Sequence, residues 1–195
     1  MRKGDETRTA VLDHALREAS RVGLEGLSIG NLARDLGMSK SGLFAHFQSK
    51  EALQVQVLEA AAARFVEAVV APALREPRGE PRLRSLFQRW IGWSDTCRLP
   101  GGCIFAAAAA ELDDREGPVR DTLVRFQRQW VDSLARAART AVEAGHFRAD
   151  ADPEQLAHDL HGVIFAYHFA NRLLREPRAR PRAERAFEAL LAAAR

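Results

Sequence analysis

With 195 residues, 47% of them hydrophobic, the chain can bury a sizeable core and hold one large or two small domains. Its 29 Lys or Arg against 26 Asp or Glu give a formal net charge of +3, a mild positive balance carried by arginine, since only Lys3, Lys40 and Lys50 are lysines. No run of about 18 uncharged apolar residues exists and Met1 to Glu6 holds no apolar segment, so neither a membrane span nor a secretion signal is expected and the cytoplasm is the expected location.

The first strong signal in chain order is residues 28–51, SIGNLARDLGMSKSGLFAHFQSKE. Ile29, Leu32, Ala33 and Leu36 fall at i, i+3, i+4 and i+7, one apolar stripe on a helix. Ser28 stands where an N-cap hydroxyl accepts from first-turn amides, and Leu27 and Leu32 occupy the two positions of a hydrophobic staple. The capping box is incomplete because its third position is Asn31. Gly37 follows the last turn, where a left-handed residue ends a helix. Ser39 then caps a second helix predicted over Lys40–Phe47, with Leu43 and Phe47 inward and Lys40, Ser41, Gly42, Phe44 and His46 on the outer and flanking surfaces. Ser49 offers a third cap, after which Leu53, Val57 and Leu58 continue an apolar face. Two short helices across a glycine turn, followed at once by a third, are the layout of a helix-turn-helix, and a second helix with small and polar groups near its start suits the major groove of DNA. The first sixty residues carry eight Lys or Arg and eight Asp or Glu, yet residues 37–50 hold two lysines and no acid, so positive charge gathers on the side that would face phosphates.

The remaining chain reads as helices separated by Pro and Gly breaks, without a useful strand pattern, so the fold class is all-α. Ala71-Pro72 disturbs or ends the helix that starts near Lys50, and residues 76–81 form a loop into a helix over residues 82–96. After a break at residues 99–102, a short, nearly all-apolar helix covers residues 103–111 and is expected to be buried. Pro118 opens a long helix to about residue 144, with Val119, Leu123, Phe126, Trp130, Leu134, Ala137 and Ala141 at sustained three-to-four spacing, and Gly145 closes it. Asp152 and Pro153 begin another, expected to run to residue 174 with Leu156, Leu160, Val163, Tyr167 and Leu174 along one side; Pro177 ends it and Pro181 begins the last. Helices 118–144 and 153–174 have more apolar surface than one underlying layer covers, and self-association is the natural outlet.

Thr7 to Leu53 resembles the DNA-binding domain of the TetR family of bacterial transcriptional regulators, and the run from Gly37 to Leu53 carries most of the likeness. The resemblance implies a DNA-binding domain at residues 7–53 and a helical effector-binding and dimerisation domain at residues 54–195. It gives Lys40, Ser41 and Gly42 to the major-groove edge of the recognition helix, and matches Ser28, Ser39, Phe44, His46 and Lys50 to positions that grip or buttress the phosphate backbone. Two positions depart from the family pattern. Phe44 stands where tyrosine is common, so its ring packs on backbone or sugar without a hydroxyl bond, and Ala19 stands where the first helix often carries phenylalanine. The family pattern further implies a four-helix bundle made by two helices from each subunit, hence a homodimer on a near-palindromic DNA operator. It also implies a small-molecule pocket, for which Trp90, Trp93, Phe105, Phe126, Trp130, Phe165 and Tyr167 supply walls suited to an apolar or aromatic effector.

The expectation is therefore a ligand-responsive regulator, a repressor released by its effector, with an effector-independent architectural DNA-binding protein as the alternative. Other chemistries find less support. Cys97 and Cys103 flank a Pro-Gly-Gly break and could form a thiol switch, but two cysteines among apolar neighbours read as small core residues. His158, His161 and His168 share a helix, yet 168 lies about 10 Å along the axis from 161, so no metal is expected. No phosphate-cradling glycine loop or nucleophile–base pattern is present, so neither catalysis nor a cofactor is expected.

Overall fold

A computed structural model describes residues 3–195, and among the described residues every regular element is helical. In chain order these are α1 (Lys3–Val22), α2 (Ile29–Asp35), α3 (Lys40–Phe47), α4 (Lys50–Phe65), a π turn (Val66–Val70) running into α5 (Ala71–Ala73), α6 (Glu80–Thr96), α7 (Ile104–Leu112), α8 (Pro118–Glu143), α9 (Pro153–His168) with a second π turn (Phe169–Leu173), and α10 (Ala179–Ala194). The chain forms two compact units that differ from the consecutive segments 7–53 and 54–195. One comprises the described residues up to Arg64 together with Cys97–Phe126, the other Phe65–Thr96 with Gln127–Arg195.

The first unit is built on the apolar faces of α1 to α4. Val11, Ala15, Leu16 and Ala19 of α1, Leu32 and Ala33 of α2, Leu43 and Phe47 of α3, and Leu53, Val57, Leu58 and Ala61 of α4 are all at most 3% exposed. Each large aliphatic or aromatic side chain so enclosed contributes about 1.5–3 kcal/mol, which for helices of seven and eight residues far exceeds intrinsic propensity. Ala19, which stands where the family pattern has a larger residue, is fully buried. α7 belongs to this unit. Its Glu111 carboxylate accepts from the backbone amides of Leu24 at 2.9 Å and Glu25 at 2.5 Å, in the turn that leaves α1. The Gly101 amide donates to Ser20 Oγ at 3.0 Å, and a Cβ on Gly101 would lie 1.3 Å from the Ser20 carbonyl oxygen, so backbone rests directly on backbone there.

The second unit packs α6, the later part of α8, α9 and α10 around Leu83, Leu86, Phe87, Trp90, Ile91, Trp93, Leu134, Ala138, Leu160, Ile164, Phe187 and Leu191. Phe87 and Phe187 stack with centroids 4.0 Å apart. Above them Arg84 forks onto Glu188, at 2.5 and 2.9 Å, while donating to Glu80 at 2.8 Å. Arg195 closes on the same Glu80, and these bonds hold its carboxyl below the usual carboxylate range.

Four boundaries differ from expectation. The disturbance at Ala71-Pro72 is a π turn: the Ala71 amide reaches back five residues to the Val66 carbonyl, which places Pro72 at the start of a new short helix, where its missing N–H costs little. The α9 helix ends at His168, six residues early, and widens into the second π turn; Leu174 is 58% exposed and does not join the buried side. Both Pro81 and Pro181 lie just inside the first turn of their helices, so α6 starts at Glu80 and α10 at Ala179.

Candidate DNA-binding surface

The α2–α3 unit is fixed at each joint by a short-range bond that its sequence specifies. Ser28 Oγ accepts from the Asn31 amide at 3.4 Å at the start of α2. At the far end Gly37 takes φ +64, the Met38 amide donates to Ala33 O and the Gly37 amide to Arg34 O, a paired closure in which a β-carbon would be strained. Ser39 Oγ accepts from the Gly42 amide at 3.0 Å and lies 3.2 Å from Ser41 Oγ. Ser49 Oγ then accepts from the Ala52 amide at 2.9 Å to start α4. Leu27 and Leu32, the expected staple pair, are both buried.

With Leu43 and Phe47 sunk in the core, α3 turns Lys40, Ser41, Phe44 and Ala45 to solvent. These four residues line one shallow concavity of about 720 Å³. Among the described residues Lys40 has no ion-pair partner. Gly42 and His46 are half-buried on the flanks, Ser39 is exposed and Ser28 half-buried. Lys50 is engaged within the unit: its ammonium donates to the Glu25 carbonyl oxygen and lies 3.6 Å from the Glu25 carboxylate. Gln54 and Arg115 also hold Glu25, and the Gln54 bond is the leading reason its carboxyl is shifted below the ordinary range. Sequence reasoning missed this cluster and the Glu111 contact because their partners are 25 to 87 residues apart; the R-V-G-L-E-G-L turn at residues 21–27 was the available signal that something must approach the backbone closely. A Cβ on Gly23 would stand 2.8 Å from the Glu111 carboxylate.

The seven aromatic residues expected to wall an effector pocket divide between the units. Phe105, buried, and Phe126, half-buried, belong to the first; Trp90, Trp93, Trp130 and Tyr167, all buried, and half-buried Phe165 belong to the second. In the second unit Trp90, Trp93, Trp130 and Phe165 form a connected cluster completed by Phe65 and His161, two residues that sequence did not single out as wall, while Tyr167 meets His168 at 5.3 Å. Phe65 meets Trp93 and Trp130 edge-on at 5.2 and 4.8 Å, Trp90 meets Trp130 at 4.9 Å, and His161 bridges Trp90 and Phe165 at 5.6 and 4.8 Å. The Trp130 indole N–H and His161 Nε2 are buried there without hydrogen-bond partners. Burial, and secondarily His158, pushes the His161 pKa down. Burial also raises the Tyr167 phenol above its usual value, with Asp95 adding to the effect. No group of three metal-ligating side chains assembles among the described residues. Cys103 is buried and Cys97 half-buried, and both are thiols.

A capped tri-helical unit that presents one short helix outward, with a lysine, a serine and an aromatic ring on its open face, defines a helix-turn-helix DNA-binding protein. Residues 11–57 match the model of bacterial regulatory proteins of the tetR family, and residues 79–187 match that of the Tetracyclin repressor-like C-terminal domain, which spans more than half of the chain. The chain belongs to the TetR family of transcriptional regulators and is not an enzyme. It is 28% identical over 155 residues to the HTH-type transcriptional repressor DhaR of Mycobacterium sp. (strain GP1), covering 77% of this chain and 76% of that protein. A TetR transcriptional regulator from Chloroflexus aurantiacus J-10-FL superposes with a TM-score of 0.86 at 24% identity, covering 98% of this chain and 96% of the other. AibR, whose structure holds isovaleryl coenzyme A and operator DNA, superposes with a TM-score of 0.74 at 24% identity over 95% and 96% of the two chains. No described helix is long and apolar enough to cross a membrane.

Proposed function

We infer that this regulator is a homodimeric repressor that binds a near-palindromic operator and leaves it when an apolar or aromatic effector binds. The observation that carries the reading is α3: its inward residues are consumed by the core, while Lys40, Ser41, Phe44 and Ala45 stand open on one side. Ser28 and Ser39 cap the two helices, and with Gly42, His46 and Lys50 they complete the proposed DNA-facing set. The repressor DhaR, similar in sequence, supports repression, and the AibR complex supports an effector and an operator as the two partners of this fold. Such a protein works on the bacterial chromosome, hence in the cytoplasm.

Self-association is supported by α9 and the π turn that continues it. Their outward residues His158, Gly162, Ala166, Phe169 and Leu173 recur at three- and four-residue steps, and Phe169 and Leu173 are 56% and 69% exposed. The apolar stripe of α8 is by contrast buried within the chain, apart from half-buried Phe126, so of the helices 118–144 and 153–174 the second carries the dimer face, beside its packed neighbour α10. An effector site is supported by the aromatic cluster, whose neutral walls and two unbonded polar atoms suit an uncharged ligand with one hydrogen-bonding group. Selection of bound sequences from a random DNA pool at two salt concentrations tests the reading. A recovered near-palindrome from which a small molecule releases the protein supports it; binding indifferent to sequence and to every effector would leave an architectural DNA binder.

A further inference from the structure

We propose that Phe44, with Ala45, reads the C5 methyl groups of thymines in the operator's major groove, so that Phe44 sets sequence preference. The inference rests on the operator-binding reading above. Phe44 is 49% exposed, and α3 has no use for it in the core, since Leu43 and Phe47 beside it are each 1% exposed. Steps of one and four residues set Lys40, Ser41, Phe44 and Ala45 within an arc of about 140° around the helix. The concavity they line is divided lengthwise: the ammonium and hydroxyl stand in the first turn, the ring and methyl one turn later. Gly42 puts no side chain beside them, and its amide is already committed to Ser39 Oγ.

The chemistry of this half-apolar face restricts what it can recognise. A phenyl ring has no donor for a phosphate oxygen. Of the groups on the floor of the major groove, the thymine methyl is the apolar one, and contact with it distinguishes thymine from every other base. Burial of one methyl group from water is worth about a fourfold change in affinity per half-site. A ring packed on deoxyribose would bury similar area and be blind to the base, which makes the two arrangements separable.

The test begins with the operator recovered by selection. Each thymine is replaced in turn, in both half-sites, by deoxyuracil, which removes the methyl group and leaves base pairing intact. Dissociation constants are measured by fluorescence anisotropy for the full-length protein and for Phe44→Ala and Phe44→Tyr. At one or two thymines the wild type should lose about fifteenfold, Phe44→Ala should show no loss at those positions, and Phe44→Tyr should keep the sensitivity. The proposal is overturned if every deoxyuracil operator binds the wild type within about twofold of the parent, or if Phe44→Ala shows the same losses. A Phe44→Tyr variant that binds all sequences more tightly and ignores the methyl groups puts the ring at the backbone and also overturns it. Selection that recovers no sequence at all overturns the operator-binding reading itself.

Discussion

Replacing Glu111 by alanine removes the carboxylate that α7 inserts beneath the turn after α1, and the consequence can be worked from the two bonds it accepts. A hydrogen bond to a charged acceptor contributes about 1.5–3 kcal/mol, and an amide left unsatisfied in a buried place costs a similar amount. Leu24 is fully buried, so its amide carries about 2 kcal/mol of the loss; Glu25 is exposed, water replaces the acceptor, and about 0.5 kcal/mol is lost there. The total of about 2–3 kcal/mol lowers the melting midpoint of a chain this size by about 5–10 °C. Glu111→Gln, which keeps one carbonyl oxygen, should lose about half as much. Thermal unfolding gives the midpoints, and amide exchange at Leu24 and Glu25 by NMR locates the change. If Glu111→Ala melts within a degree or so of wild type, or exchange at those two amides is unaltered, the reasoning fails.

Other perturbations follow from the same kind of accounting. Burial pushes the His168 pKa down to about 4 from 6.5, so between these values the unfolded chain binds a proton that the folded one refuses. Stability from this group is intact above pH 6.5 and declines by about 3 kcal/mol as the pH falls to 4; urea unfolding of wild type and His168→Gln should converge in that window, and parallel curves would refute the assignment. Gly79 sits at φ +91 with His146 Nδ1 where a Cβ would lie, 2.2 Å away, while that nitrogen accepts from the Glu80 amide at 3.1 Å to start α6. His146→Ala should cost about 1 kcal/mol as a lost cap, Gly79→Ala clearly more, and the double variant should lie between the larger loss and the sum, as read by chemical denaturation; strict additivity argues against the contact. Lys40→Ala, which removes a cation that has no ion-pair partner among the described residues, should weaken binding to all DNA sequences and reduce the salt slope by about one, whereas Ser41→Ala should alter sequence preference; equal losses on specific and random DNA for both would sink that division.

The residues that specify local geometry were the legible ones. Ser28, Gly37, Ser39 and Ser49 act on amides and carbonyls within five residues, so α3 could be bounded at Lys40–Phe47 from sequence and the fold read as helical throughout. Periodicity told that a face of α8 is apolar but not what it meets: the stripe is spent inside the chain, and the outward residues of α9 have the milder pattern Gly, Ala, Phe, Leu. The π turns escaped because a helix widened by one residue per turn keeps helical composition. Phe65 was invisible as a wall residue since it looks like one more apolar position of α4, and Glu111 like a solvent charge closing an alanine-rich helix. Contacts over long sequence separation leave a trace only where they exclude a side chain, as at Gly23 and Gly101.

All three tryptophans of the chain, Trp90, Trp93 and Trp130, stand in one aromatic cluster of the second unit, each at most 7% exposed, and the unit that carries α3 has none. The protein is thus optically divided by its own composition. Intrinsic emission should be blue-shifted by the burial of the indoles, follow events around the cluster and stay dark to the helix-turn-helix. Quenching or a spectral shift on adding a compound reports an effector directly, without DNA and without a label. A melt followed by tryptophan alone would pass over early loss of the DNA-reading head, which only circular dichroism or a fluorophore placed near Phe44 would register.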